Sequence, residues 1–161
     1  MYNFIDSSFA ICANGYIKEA MGLKIINASY KDLEAVYNLV CELEDTKLNK
    51  NNFTQIYTDN LNDPNIFYLI AIEEEDIIGF GSLHIQKLLH HCAKVGEIQE
   101  IVVIKAHQGA GIGGQLFAAL HQLAVSNGCL QLEVCCNENR TASHKFYLKQ
   151  GMAESHFKYT L

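Results

Sequence analysis

At 161 residues with 49% apolar composition, the chain can bury one sizeable hydrophobic core without disulfide or metal staples, and it is too apolar to stay disordered. Its formal net charge of −6 argues against nucleic acid or an anionic membrane as a partner, because either needs a basic face. No apolar run approaches the roughly 20 residues that span a bilayer.

From the N-terminus, residues 1–22 read as an extension outside the core. They lack the basic start of a secretion signal, and Asp6, Asn14, Lys18 and Glu19 interrupt any apolar stretch. The domain itself is expected over 23–161. Leu23–Asn27 alternates as a short strand. Ser29 then caps a helix running through Glu44, with Leu33, Val36, Tyr37, Val40 and Leu43 on one face. Asn51–Asn62 predicts a second, shorter helix stopped by Asp63-Pro64. Ile66–Ile72 and Ile77–Ile85 flank the acidic turn Glu73–Asp76 as a β-hairpin, and a further strand covers Val95–Ile104. The next helix, Ile112–Ser126, buries Leu116, Leu120 and Leu123 and ends at Asn127-Gly128. A buried strand Cys129–Cys135, a helix Asn139–Gln150 closed by Gly151, and a last alternating strand Glu154–Thr160 complete the chain. This order predicts an α/β (α+β mixed) domain, a mixed sheet with helices on both faces. The six cysteines form no CxxC pair and mostly fall in apolar runs, where a thiol acts as a small hydrophobe; a reducing, cytoplasmic setting is expected.

The segment Gln108-Gly109-Ala110-Gly111-Ile112-Gly113-Gly114 joins a strand to a helix. Glycines there let the backbone approach a ligand and turn N–H groups inward, and the helix N-terminus adds unpaired amides and its positive dipole end. Such a loop cradles a phosphate or pyrophosphate. No Gly-Lys-Ser/Thr follows, which removes the nucleotide-triphosphate reading. Gly109, Gly111 and Gly114 match GxGxxG, and Glu133 sits about where a ribose ligand is expected, but Lys105–Gln108 separate the strand from the first glycine. The glycine pattern alone leaves a dinucleotide site open.

A longer match narrows the choice. Val103–Gly113 resembles the acetyl-CoA-binding motif of the GCN5-related N-acetyltransferases, Gln/Arg-x-x-Gly-x-Gly/Ala, and Arg140–Met152 resembles the second motif of that family through Phe146, Tyr147 and Gly151. Arg140, Ser143 and Met152 depart from the usual Asn, Ala and aromatic, and Lys105 stands where proline is common. The resemblance covers about 23–161. It implies a central mixed sheet of six to seven strands flanked by about four helices, with acetyl-CoA as cosubstrate. The CoA pyrophosphate and pantetheine would lie against Ile101, Val102, Val103, Gln108, Gly109, Ala110, Gly111, Ile112, Gly113, Gly114 and Arg140. A homodimer is expected by analogy alone.

Acetyl transfer from a thioester needs an amine that has lost a proton, a stabilised oxyanion and a protonated leaving thiolate. The resemblance implies the Val103 amide, at an expected strand bulge, for the oxyanion and the Tyr147 phenol as the acid for the CoA sulfur. Glu97, eleven residues ahead of Gln108, matches the family's catalytic glutamate and would act through a water, with Glu100 in reserve. On a regular strand Glu97 and Gln99 share one face and Glu100 takes the other.

The segments around His84-Ile85-Gln86, His90-His91 and Gly96–Val103, with the ending Ser155–Thr160, are similar to aminoalkylphosphonate N-acetyltransferases. That likeness implies a small aminophosphonate acceptor and a divalent metal requirement. His84, Gln86, His90, His91, Gln99 and Glu100 are then candidate acceptor contacts, with His84 and Glu97 as candidate metal ligands. His90 and His91 would face opposite ways if extended. A polyamine, amino acid or aminoglycoside acceptor remains open, as does a CoA-binding sensor without catalysis.

Overall fold

The computed structural model describes residues 22–156 and 158–161, so all of the expected extension except Gly22 lies outside the described residues. Strand β1 (Lys24–Asn27) leads to Ser29, whose N–H and hydroxyl both donate to Asp32 Oδ2, at 2.7 and 2.8 Å. That carboxylate closes a one-turn 3-10 helix, Tyr30–Asp32, which leads into α1 (Leu33–Glu44). Asp45, in the left-handed region at φ 49°, returns its N–H to the last carbonyls and ends α1. The Asn49 side chain accepts the Asn52 N–H at 3.0 Å, so α2 (Lys50–Leu61) starts one residue before the apolar pattern suggests.

Strands β2 (Ile66–Glu73), β3 (Asp76–Leu88) and β4 (Ala93–Val103) form a meander. β3 and β4 outrun their apolar stretches because Gln86, Lys87 and Leu88 find partners in Val95, Lys94 and Ala93. A helical crossover, α3 (Ile112–Ser126), then brings β5 (Cys129–Val134) parallel to β4, and α4 (Thr141–Lys149) follows. The sheet order is β1-β2-β3-β4-β5, antiparallel except at the last pair.

Alternation along the strands feeds two cores. On one face Leu69, Ala71, Ile78, Leu83 and Ile98 pack against Leu116, Leu120 and Ala124 of α3. On the other, Ile70, Phe80 and Val102 meet Val36, Leu39 and Val40 of α1 and Tyr57 of α2. Helices on both faces and four α-helices agree with expectation.

The strand count does not: the sheet has five strands among the described residues, not six or seven. The expected last strand is missing from the described part of Glu154–Thr160. Its alternating pattern supplies faces but no pairing partner, and Glu154 instead lies 3.3 Å from His144 Nδ1 of α4. Among the described residues no helix is long and apolar enough to cross a membrane.

Candidate active site

The site begins where two parallel strands part. β5 pairs with β4 only as far as Ile98↔Val134, whereas β4 continues to Val103. The β5-facing edge of Gln99–Val103 is therefore open. Ile104 N–H donates to Ile78 O at 2.9 Å, and Val102 is the register partner of Phe80. Backbone direction alternates along a strand, so the N–H groups of Ile101 and Val103 point away from β3 into that opening. A cleft of about 660 Å³ occupies it, lined by Gln99, Ile101, Val102 and Val103, by the glycine loop, and by Phe146 and Tyr147 of α4.

The loop has the conformation its glycines require. Gly109 and Gly111 sit at φ 83° and 85°, in the left-handed region, and Gly111 is the N-cap of α3. A Cβ at either position would have no protein atom within 4 Å, so this side of the loop is open space for a ligand. Gln108 serves the loop itself: its Nε2 donates to Val103 O at 2.8 Å and folds the segment back on the strand end. Ile112, Gly113 and Gly114 also line the cleft, while Ala110 is exposed outside that lining.

Helix α4 carries the phenol. Gly151, at φ 86°, closes the helix by donating to Leu148 O at 3.0 Å, and Met152 N–H donates to Tyr147 O at 3.1 Å. These two bonds form a Schellman closure that fixes the backbone at Tyr147. The Tyr147 ring packs edge-to-face on Phe146, with centroids 5.1 Å apart. Burial, and then the nearby Cys136 thiol, pushes the phenol up to about 12, with Arg140 pulling the other way. Tyr147 therefore stays protonated across any working pH. Arg140 lines the cleft, but its Nη2 donates to Leu43 O at 3.1 Å and to Glu44 Oε1 at 3.0 Å, which ties the start of α4 to the end of α1.

The acceptor candidates lie mainly on the α1/α2 face of the sheet, and there the structure corrects the sequence. Gly79, Phe80 and Gly81 pair with Val103, Val102 and Ile101, whereas Leu83 pairs with Ile98. Two β4 residues, Gln99 and Glu100, thus oppose Ser82. The bulge expected at Val103 is here, upstream of it. It also cancels the alternation that separated the two glutamates. Ser82 shares its face with Phe80 and His84; His84 is the register partner of Glu97, and the Ser82 hydroxyl donates to Glu100 Oε2. Glu97 and Glu100 therefore lie on one face.

Next to them are Tyr68, whose hydroxyl accepts from Asn60 Nδ2 at 2.6 Å, and Cys135. Partial desolvation and then the neighbouring Glu97 carboxylate push the Cys135 thiol up. Glu133 of β5 is in register with Glu97, and His91 Nε2 is 3.8 Å from its carboxylate. His90 and His91 occupy a 3-10 turn rather than an extended segment, with ring centroids 4.4 Å apart, so they do not face opposite ways. His90 and Gln86 are exposed and lie beyond His84 on the side away from the glycine loop.

His84 and Glu97 adjoin across two strands, but among the described residues no three His, Cys, Asp or Glu side chains converge on a point that would hold a metal ion. The residues present do not make the expected metal site. Sequence reasoning missed Ser82 and Tyr68. A lone serine among Gly79–Leu83 was the available signal for the first.

The geometry is a splayed parallel strand pair, a glycine loop at a helix N-terminus and a half-buried phenol lining the same cleft. A family model described as Acetyltransferase (GNAT) family matches residues 33–152. The chain belongs to the GNAT family. Among similar proteins, an aminoalkylphosphonate N-acetyltransferase of Salmonella typhimurium is 39% identical over 134 residues, which is 83% of this chain and 87% of the relative. A glucosamine 6-phosphate N-acetyltransferase of Candida albicans is 32% identical over 108 residues, 65% of this chain and 70% of that one. An aminoglycoside N-acetyltransferase crystallised with CoA has a TM-score of 0.82 at 19% identity, covering 91% of this chain and 97% of its own; at that identity the likeness shows the fold. Membership in the GNAT family and these relatives make the chain an acetyl-CoA-dependent N-acetyltransferase.

Proposed function

We propose that the chain moves acetyl from acetyl-CoA to the primary amine of a small aminoalkylphosphonate by direct attack. The observation that carries the acceptor class is the mixed face beside the cleft, where Glu97 is the register partner of His84, Glu100 shares their face, and His91 lies near Glu133. Carboxylates suit the ammonium end of such a molecule and imidazoles its anionic end. The Salmonella relative's name joins an amine to a phosphonate, and the Candida relative's name joins one to a phosphate.

In this reading the loop amides at Gly109–Gly113 and the N-terminus of α3 hold the CoA pyrophosphate. The acetyl group lies along Ile101–Val103, and the Val103 N–H donates to the developing oxyanion. Glu97, through a water, takes the ammonium proton, and the free amine attacks the thioester carbonyl. The tetrahedral intermediate collapses with cleavage of the C–S bond as Tyr147 gives its proton to the departing sulfur, and the second proton lost from the nitrogen returns to the Tyr147 phenolate through solvent, leaving the neutral amide.

Initial rates with acetyl-CoA and aminoethylphosphonate, glucosamine 6-phosphate and spermidine, each with and without EDTA, test the acceptor. Turnover is expected with aminoethylphosphonate. Turnover of spermidine with none on either phosphorylated amine would overturn the proposal. Glucosamine 6-phosphate as the preferred substrate would keep the anionic amine class and replace the phosphonate.

A further inference from the structure

Ser82 is fully buried in a central strand, in the otherwise apolar run Gly79–Ile85 apart from His84. A hydroxyl so placed destabilises the fold unless it is hydrogen-bonded. Both of its bonds go to one residue: the hydroxyl donates to Glu100 Oε2, and Oγ accepts the Glu100 N–H at 3.1 Å. This closed loop pins the β4 bulge and fixes the carboxylate relative to its own backbone. Glu100 is itself partly buried, and among the described residues no Lys, Arg or His nitrogen lies within 4.0 Å of it. Other polar groups at this face include Tyr68 of β2, with Asn60 of α2 on its hydroxyl, His84 of β3, and Glu97 of β4 with Cys135 beside it. A half-buried carboxylate satisfied by one hydroxyl and one neighbouring strand is electrostatically incomplete, and a cation delivered by a ligand completes it. Glu100 also directly precedes Ile101, whose N–H faces the cleft.

We infer that Glu100 binds the ammonium group of the acceptor and that Ser82 is its positioning residue. The inference rests on the acetyltransferase reading but is separable from it. The ammonium form docks on Glu100 as an ion pair, and proton removal is left to Glu97. Glu100 thereby selects for a cationic amine next to the thioester, whatever the far end of the molecule carries.

The test is equilibrium binding of aminoethylphosphonate and of ethylphosphonate, which lacks the amine, to the CoA-saturated wild type, Glu100→Gln, Ser82→Ala and Ser82→Thr. The wild type should bind the amine-bearing probe at least about tenfold tighter, and Glu100→Gln should lose that margin with unchanged CoA affinity. Ser82→Ala should lose part of it, and Ser82→Thr, which keeps the hydroxyl, should recover it. A wild type without the margin, or a Glu100→Gln variant that keeps it, overturns the inference. If Ser82→Ala fails to fold, the near-isosteric Glu100→Gln still decides. A wild type that shows the margin yet acetylates no amine would sink the proposed function and leave this subsite standing.

Discussion

In the proposed mechanism two residues act in opposite ways, one by what it carries and one by what it lacks. Tyr147 carries a proton that burial retains. Its phenol lies near 12 against an ordinary 10.0, so it imposes no alkaline fall in kcat below about pH 10. A basic limb in kcat near pH 9 that disappears in Tyr147→Phe would contradict this. That variant should lower kcat by about 10²-fold or more with little change in acetyl-CoA affinity, and a stopped-flow or steady-state comparison checks both. The same shift affects stability. Below pH 10 folded and unfolded phenol are both protonated; between 10 and about 12 only the unfolded one ionises, so stability is lost as pH rises through that window. Gly111 acts by absence. Its φ of 85° costs an L-residue about 1–3 kcal/mol, and a side chain there would enter the open side of the loop. Gly111→Val should abolish CoA binding by calorimetry while the protein remains folded; retained affinity would move the pyrophosphate elsewhere.

At the level of elements, position depends on close contact between α3 and the sheet. A Cβ at Gly81 would lie 2.9 Å from Leu120 Cδ1, and one at Gly79 would lie 3.0 Å from Leu116 Cδ1. Leu116 and Leu120 are both fully buried and have nowhere to retreat. Gly81→Ala should therefore cost about 1–3 kcal/mol by overpacking, read as a lower Tm in a thermal melt. An unchanged Tm would mean that the helix can lift off the sheet. Lifting would also disturb the loop, because Gly111 caps the same helix. The helix–sheet contact and the glycine loop are thus one mechanical unit.

At the level of the whole molecule, the cleft lies between the main sheet and the β5–α4 end, which meet through β4·β5 pairing that stops at Ile98 and through the Arg140 tie to α1. A ligand filling that opening bridges the two parts and favours the folded state. CoA at a hundred times its Kd should stabilise the protein by about 2.7 kcal/mol, visible as a Tm increase that Gly111→Val lacks. A CoA-independent Tm would refute the placement of the cosubstrate in this cleft.

The sequence by itself determined the order of the helices and strands as far as α4, the two apolar faces of α1 and α3, the glycine loop and the tyrosine that lines the same cleft. These are local matters of periodicity, capping and backbone freedom, and short-range physics writes them into adjacent residues. Tertiary structure decided the rest. The alternating Glu154–Thr160 pattern did not become a strand in its described part, because strand formation requires a neighbour that no pattern supplies. The bulge moved from Val103 to Gln99–Glu100, because register depends on two strands together, and β3 places Ser82 opposite the extra residue. That single slip brought Glu97 and Glu100 to one face and set a buried serine against the Glu100 carboxylate. A side chain's face is set by the pairing of its strand, so the residues proposed to hold the donor were legible in the chain, while those proposed to meet the acceptor became visible only once β3 and β4 were paired.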